Sequence, residues 1–248
     1  MNLQNDHVIG IVGGMGPHSG LELYKEILDN IKADKDQDYL SIVLASYSKH
    51  IPDRTDYLQG NCLLNPADNI IEIIKNLHMV GAKTIAMACN TVYSPKIYKE
   101  ILNGTSHLNV RILNMPYEVA LYIKKNYPMV EKVGLMTTNG TYLSKVYSDI
   151  LINMGIEPII PDYKFQNEVV HQIIYDSDFG IKSKPRPITN EVYNLLNKVE
   201  LYFQEKQADL ILLGCTELSL LDVRGFNHFG HKIIDSTKVF AKSVVTKI

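Results

Sequence analysis

The 248-residue chain contains no tryptophan and only three cysteines. An odd and small number of cysteines argues against a disulfide framework and predicts reduced thiols, one or two of which are candidates for chemistry. The sequence also lacks a basic segment followed by a long apolar run at its start, and no stretch approaches the roughly 18 apolar residues of a membrane span. We therefore expect a cytoplasmic protein with no membrane partner.

An excess of charge of one sign is missing as well. The chain has 25 Lys+Arg and 27 Asp+Glu, which gives a formal net charge of -2. This balance supplies no basic field for a phosphate backbone, so we exclude nucleic acid as the main partner and expect a small molecule. Hydrophobic residues make up 46% of the sequence, and a chain of this length buries one large core or two smaller ones, which excludes general disorder.

Short apolar runs alternate with longer amphipathic segments along the whole chain, which is the pattern of βαβ units. Most of the apolar runs are continuous, as expected for parallel sheets covered by helices on both faces. The predicted strands are residues 8–12, 40–45, 84–87, 110–113, 132–136, 156–160, 210–213 and 232–234. The predicted helices include residues 19–31, 66–79, 116–126, 141–154, 166–175, 189–206 and 237–246.

An internal repeat organises these elements. Residues 82–91, AKTIAMACNT, align without gaps with residues 208–217, ADLILLGCTE. Two shorter pairs of segments match at nearly the same offset, and all three matches occur in the same order in both halves of the chain. The repeat predicts an α/β protein of two similar lobes related by a pseudo-twofold axis, each with a four-stranded parallel sheet flanked by helices. We expect residues 1–114 with 228–248 in the first lobe, residues 115–227 in the second, and the active site between them.

Two of the three cysteines, Cys89 and Cys215, directly follow apolar strands at matching positions of the repeat. Ligands of α/β sheets bind at the carboxyl ends of strands, where backbone N–H groups and a helix N-terminus favour a thiolate. Cys62 has no counterpart in the second half, and we interpret it as a bystander.

Several kinds of chemistry use thiols in such positions. A metal site is disfavoured because the sequence has no Cys-x-x-Cys or His-x-x-x-His pair and its eight histidines are scattered. A cysteine nucleophile with a histidine base stays open, although neither cysteine has a histidine close by in the sequence. A matched pair suits racemisation, in which one thiolate removes the proton from Cα and the opposite thiol delivers a proton to the other face.

Four segments carry a more specific signal: IGIVGGMGP at residues 9–17, IPDRT at 51–55, ACNT at 88–91 and GCTEL at 214–218. In this combination the chain resembles the aspartate/glutamate racemase superfamily, and specifically its aspartate racemase branch, over essentially its whole length. The resemblance implies cofactor-independent racemisation of an acidic amino acid, aspartate or glutamate, in a cleft between two lobes. It also implies a homodimer.

The resemblance implies roles for individual residues. Cys89 and Cys215 look like the two acid/base thiols. Arg54 matches an arginine that recognises a substrate carboxylate, because a guanidinium can bind a carboxylate through two parallel hydrogen bonds. Glu217 is similar to a glutamate of the aspartate branch that positions the amino group or tunes Cys215. The other matched positions, expected to bind substrate, are Met15, Asn90, Thr91, Thr138, Thr141, Asn167 and Thr216.

Two positions depart from the pattern and bear on substrate identity. Tyr93 stands where the family commonly has histidine, and Asn167 stands where members selective for aspartate can carry lysine. Two alternatives therefore stay open: a racemase, isomerase or decarboxylase of another substrate within the superfamily, and a non-catalytic protein that binds an acidic metabolite. The polar segment 176–187, which carries three cations, is expected to be a solvated connection rather than a lid.

Overall fold

We describe the fold from a computed structural model, which covers residues 7–221 and 231–248. Within these residues, the strands form two four-stranded parallel sheets, with the orders β2-β1-β3-β4 and β6-β5-β7-β8. The strands are β1 (Val8–Val12), β2 (Ile42–Ala45), β3 (Ala82–Met87), β4 (Arg111–Ile112), β5 (Lys132–Met136), β6 (Glu157–Ile159), β7 (Leu210–Leu213) and β8 (Lys232–Asp235). Every predicted strand is present, and the predicted pair of similar sheets is confirmed.

The two sheets have equivalent registers. In the first sheet, Val12 at the end of β1 lies opposite Ala45 of β2 and Met87 of β3. In the second sheet, Met136 at the end of β5 lies opposite Leu213 of β7. Because the strand ends are level, the residues that follow β1 and β3, or β5 and β7, emerge together at one edge of each sheet.

Helices follow the strands in both halves. They are α1 (Pro17–Asn30), α2 (Arg54–Gln59), α3 (Pro66–Met79), α4 (Pro95–Thr105), α5 (Met115–Asn126), α6 (Asn139–Leu143), α7 (Ser148–Asn153), α8 (Tyr163–Phe165), α9 (His171–Tyr175), α10 (Asn190–Glu205) and α11 (Ser236–Thr246). Helices α2 and α4 are absent from the predicted set. The single helix predicted at 141–154 is wrong, because the chain breaks between α6 and α7, where Lys145 has a φ of 54°. A π-helical turn, Gln166–Val170, joins α8 to α9.

Polar side chains at the strand ends start the next helices. Thr138 after β5 accepts a hydrogen bond from the Thr141 N–H of α6, and Asp235 at the end of β8 accepts bonds from the first N–H groups of α11. Asp53 caps α2 in the same way. Such caps satisfy N–H groups that the helix itself leaves free, and they fix side chains of these loops at the sheet edge.

The division into lobes needs one correction. Strand β8 pairs with β7, so residues 232–235 extend the second sheet, and their expected place in the first lobe is wrong. Helix α11 then packs against α1 of the first half and α5. The exact division of the chain stays a prediction, and its expected boundary at residues 227/228 lies outside the described residues. Within the described ranges, no helix is long and apolar enough to cross a membrane.

Candidate active site

Cys89 and Cys215 emerge directly after the equivalent strands β3 and β7, and each is only 4% exposed. The two cysteine loops contact each other, since the Thr216 hydroxyl donates a hydrogen bond of 3.4 Å to the Ala88 carbonyl. Each thiol has a different charged neighbour, Arg54 beside Cys89 and Glu217 beside Cys215. The matched cysteines of the repeat therefore lie in one buried region, with unequal electrostatic surroundings.

Glu217 connects Cys215 to the rest of the site. Its Oε2 accepts a hydrogen bond of 3.0 Å from the Cys215 thiol, and its Oε1 accepts one of 3.2 Å from the Gly16 N–H. Burial and the Glu217 charge raise the pKa of Cys215 well above its usual value. Burial alone would also raise the pKa of Glu217, but the Lys182 ammonium and the thiol hydrogen bond lower it. At neutral pH, Cys215 is thus a thiol that donates to a carboxylate.

Lys182 is a site residue that sequence reasoning missed. Its Nζ lies 2.8 Å from Glu217 Oε1 and 4.9 Å from the centre of the Tyr175 ring. Burial by itself lowers the pKa of Lys182, but the Glu217 carboxylate outweighs it and raises that pKa, which keeps the ammonium charged. The expectation that segment 176–187 is a solvated connection is wrong for Ile181 and Lys182, because both residues line a cavity beside Arg54 and Glu217. In the sequence, the three cations of segment 176–187 were the only feature that could have pointed to Lys182.

Arg54 is held by backbone carbonyls of the two loops beside it. Its Nη2 donates to the Met15 carbonyl at 3.0 Å, and its Nη1 donates to the Pro52 carbonyl at 3.2 Å. Burial disfavours the charged guanidinium, but Cys89 and nearby acidic groups raise the pKa of Arg54 above its usual value. Within the described residues, Arg54 Nε is buried without a hydrogen-bond partner. Met15 thus contacts Arg54 through its backbone carbonyl, and the Arg54 Nε–H can donate a hydrogen bond to another acceptor.

A cavity of about 270 Å³ opens beside these groups. Its wall includes Arg54, Lys182, Glu217 and Ser19, and Ser19 Oγ has no hydrogen-bond partner among the described residues. Unpaired buried donors cost free energy, so this wall suits a ligand that accepts hydrogen bonds. The glycine-rich first loop borders the cavity, and only glycine fits at residue 14, where φ is 83° and a Cβ would lie 2.9 Å from the Ser48 nitrogen.

Three threonines join the two halves of the site. Thr91 Oγ1, from the loop after β3, lies 3.0 Å from Thr138 Oγ1 and 2.9 Å from Thr141 Oγ1, both at the start of α6. Gly140 permits this contact, because a Cβ there would lie 2.7 Å from Thr91 Cγ2 and 2.8 Å from Thr55 Oγ1. The cluster presents hydroxyl groups at a short helix N-terminus between the halves.

Among the residues that the sequence predicted for the site, Arg54 and Glu217 line the cavity of about 270 Å³. The other predicted residues do not line it: Cys89, Cys215, Met15, Asn90, Thr91, Thr138, Thr141, Asn167 and Thr216. Asn167, on the π-helical turn, accepts a hydrogen bond of 2.7 Å from Asn139 Nδ2. The Tyr93 hydroxyl donates to the Leu113 carbonyl at 2.9 Å and is buried in the core. The substrate contact expected for Asn167 stays a prediction, and Tyr93 ties β3 to the end of β4.

His171 contacts Asn139 and Tyr175 rather than either thiol in the hydrogen bonds and ring contacts of the described residues. His171 Nδ1 accepts a hydrogen bond of 3.3 Å from the Asn139 N–H, and its ring stacks on Tyr175 with 4.4 Å between centroids. Burial lowers the pKa of His171 to about 4, so the ring is neutral at pH 7. Cys215 pairs with a carboxylate rather than with an imidazole. Across residues 7–221 and 231–248, no group of three or more His, Cys, Asp or Glu could hold a metal ion.

Comparison with known proteins places this geometry in a family. The structure is similar to that of an aspartate racemase from Picrophilus torridus, with 27% identity and a TM-score of 0.77 over 97% of this chain and 94% of that chain. It is also similar to an aspartate racemase homologue from Pyrococcus horikoshii OT3, with 24% identity and a TM-score of 0.69 over 96% of this chain and 97% of that chain.

A glutamate racemase from Bacillus anthracis, RacE1, is 17% identical with a TM-score of 0.69, over 98% of this chain and 82% of that chain. The two likenesses below 25% identity concern the fold alone. The model of the Asp/Glu/hydantoin racemase family matches residues 12–244. This range includes both cysteine loops and all strands of both sheets except residues 8–11 of β1. The chain therefore belongs to the Asp/Glu/hydantoin racemase family.

Proposed function

We propose that this racemase family member interconverts L- and D-aspartate, with Cys89 and Cys215 as the two acid/base groups and without a cofactor. The observation that carries the proposal is the pair of buried thiols on equivalent strands, one beside a guanidinium and the other bonded to a carboxylate. A reaction that inverts one carbon needs a proton acceptor on one face and a proton donor on the other. The Glu217 carboxylate keeps Cys215 in the thiol form, which can donate a proton.

The charges around the cavity support a dicarboxylic substrate. The buried Arg54 and the partly buried Lys182 are two cations on its wall, and the unpaired Ser19 hydroxyl lies on the same wall. We assign the distal carboxylate to this wall and the α-carboxylate to the hydroxyls of Thr91, Thr138, Thr141 and Thr216 and the amide of Asn90. A neutral amino acid without a side-chain acceptor would leave the Arg54 Nε–H without a hydrogen-bond partner, which costs free energy.

The proton transfers balance between the two sulfurs. In one direction, the Cys89 thiolate takes the α-proton, and the C–H electron pair stays on Cα and spreads into the carboxylate. The Cys215 thiol then gives its proton to the opposite face and keeps the S–H electron pair. Inversion at Cα is complete, with Cys89 as thiol and Cys215 as thiolate, and the reverse reaction uses the groups in the opposite order.

Cα is a weak acid, so the developing negative charge needs stabilisation by groups that are already in place. The buried site offers hydroxyl groups held by hydrogen bonds and the Arg54 cation beside Cys89. Because both thiols are nearly excluded from solvent, electrostatic interactions there are stronger than in water. Glu217, which bonds Cys215, also lies where it can accept a hydrogen bond from the substrate ammonium.

The proposal is tested with purified protein and chiral chromatography. L- and D-aspartate, both glutamate enantiomers, alanine and a hydantoin are incubated separately, and we expect racemisation of aspartate in both directions. Cys89→Ala and Cys215→Ala are each expected to abolish racemisation, and Cys62→Ala serves as the matched control with unchanged rates. No turnover of any amino acid would refute the racemase assignment, and racemisation of glutamate or a hydantoin alone would refute the substrate.

The homodimer implied by the resemblance is likewise a proposal. Sedimentation equilibrium checks it, with a mass of about twice 28.1 kDa expected and a monomer as the contradicting result.

A further inference from the structure

Tyr147 is a fully buried residue that lies between the two cysteine loops. Its side chain is 1% exposed, and its hydroxyl donates a hydrogen bond of 2.5 Å to Oδ1 of Asn90, the residue after Cys89. On the other side, a Cβ placed on Gly214 would lie 3.0 Å from Tyr147 Cε2. Gly214 directly precedes Cys215, so one side chain contacts the neighbours of both thiols.

The Asn90 amide is held from its other end as well. Its Nδ2 donates a hydrogen bond of 3.1 Å to Oγ of Ser236, the first residue of α11. Both partners of Asn90 therefore come from the second half of the chain, whereas Asn90 itself belongs to the first. Loss of either bond would leave a buried polar atom without its partner, and the amide would rotate to find another.

The tyrosine hydroxyl remains protonated at neutral pH. Burial raises the pKa of Tyr147 strongly, and nearby Cys215 adds to the increase, although a hydrogen bond with Ser236 opposes it. The phenol thus acts as a fixed hydrogen-bond donor and does not exchange its proton during a reaction. Tyr147 also does not line the cavity beside Arg54 and Glu217.

We propose that Tyr147 is a positioning residue that sets the relative placement of the two thiols, through its hydroxyl on Asn90 and its ring on Gly214. The catalytic part of this inference rests on the proposed racemisation. Two proton transfers on opposite faces of one carbon require both sulfurs to be correctly placed at the same time, and a misplacement of about 1 Å can lower a rate by about two orders of magnitude. Tyr147 contacts the neighbours of both thiols, in addition to the direct bond from Thr216 to Ala88.

The test is Tyr147→Phe, which removes only the oxygen, with Tyr142→Phe as the matched control. The Tyr142 hydroxyl donates to the Pro161 carbonyl at 3.1 Å. We expect Tyr147→Phe to lower kcat for aspartate about tenfold or more in both directions with KM within roughly twofold. Tyr142→Phe is expected to keep kcat, and both variants are expected to show similar, small decreases in Tm.

A second measurement follows the thiols directly and does not depend on turnover. The rate at which iodoacetamide modifies Cys89 and Cys215 is read separately by peptide mass spectrometry in the full-length protein. We expect Tyr147→Phe to change the Cys89 rate severalfold relative to wild type and Tyr142→Phe to leave it unchanged. If wild type lacks racemase activity, this readout still decides whether Tyr147 positions the thiol.

A double-mutant cycle identifies the route of the effect. In an Asn90→Ala background the Tyr147 hydroxyl has no amide to hold, so adding Tyr147→Phe is expected to change the Cys89 modification rate less than twofold. Unchanged kcat and unchanged thiol modification in Tyr147→Phe would overturn the inference. An effect that persists in full without Asn90 would overturn the hydrogen-bond route.

Discussion

Cys89 and Cys215 occupy matched positions in the sequence but have different partners in the structure. Glu217 accepts a hydrogen bond from the Cys215 thiol, and Arg54 interacts electrostatically with Cys89. The internal repeat pointed to both thiols, because they follow matching apolar strands, and the family resemblance pointed to Arg54 and Glu217. The roles expected for these residues stay predictions. Neither the repeat nor the resemblance located Lys182, because that residue lies in a segment without strand or helix, whose path depends on tertiary packing.

Lys182 gives the sharpest prediction at this scale. Lys182→Met removes the ammonium that lies 2.8 Å from Glu217 and on the cavity wall. We expect KM for aspartate to rise about tenfold to hundredfold, which corresponds to about 1.5–3 kcal/mol for a hydrogen bond to a charged group. Lys184→Met is the control, because Lys184 is exposed in the same segment. Equal KM values for the two variants would contradict a role for Lys182 in substrate binding.

A second residue-scale prediction concerns stability. Glu200 on α10 is 2% exposed, and its Oε1 has no partner in the described part of the chain. Burial raises its pKa to about 7, above the usual value of an unfolded chain. Between these two pKa values the folded state binds more protons than the unfolded state, so stability falls as pH rises.

Glu200→Gln removes this dependence. The variant is expected to gain stability over wild type at pH 8 and little at pH 4, measured as the free energy of unfolding in urea. Glu205→Gln, which changes an exposed carboxyl on the same helix, is expected to behave like wild type. A Glu200→Gln variant that is less stable than wild type at pH 8 would show that the carboxylate is paired.

At the scale of elements, the sequence predicted the strands better than the helices. Continuous apolar runs such as residues 8–12 and 210–213 end where the strands end, because burial on both faces requires apolar side chains throughout. The break between α6 and α7 was missed because the left-handed conformation occurs at Lys145, a residue type that gives no signal for it. That break contains Tyr147, which contacts the neighbours of both thiols.

The contact of α6 with α2 is the second element-scale feature. Gly140→Ala would place a Cβ 3.0 Å from Thr55 Cα and 2.7 Å from Thr91 Cγ2. Helix α6 must therefore move away from α2 and from the Cys89 loop. We expect a stability loss of about 1–3 kcal/mol, typical of overpacking, together with a large fall in kcat. Gly104→Ala is the control, because its Cβ would overlap Ile71 between α3 and α4. It is expected to lower stability without lowering kcat, and equal falls in kcat would contradict the α6 argument.

At the scale of the whole molecule, the internal repeat predicted two similar sheets with the thiols at equivalent strand ends. One of its shorter matches aligns residues 233–235 with residues 112–114. The expected lobe boundaries nevertheless placed β8 in the first lobe, which its pairing with β7 contradicts. The halves meet through named contacts, such as the Tyr175 hydroxyl on Asp53 at 2.9 Å and the Gly16 N–H on Glu217 at 3.2 Å. These contacts bring charged side chains of both halves together at one cavity.

The two-base assignment is tested most directly by racemisation in D₂O. L-aspartate is incubated with the wild-type protein, and the deuterium at Cα of both enantiomers is followed by mass spectrometry during the first few per cent of conversion. With two thiols on opposite faces, the new D-aspartate is expected to carry solvent deuterium while the remaining L-aspartate keeps its proton, and the reverse is expected from D-aspartate. Early deuterium in the starting enantiomer, or transfer of the original proton into the product, would contradict the account.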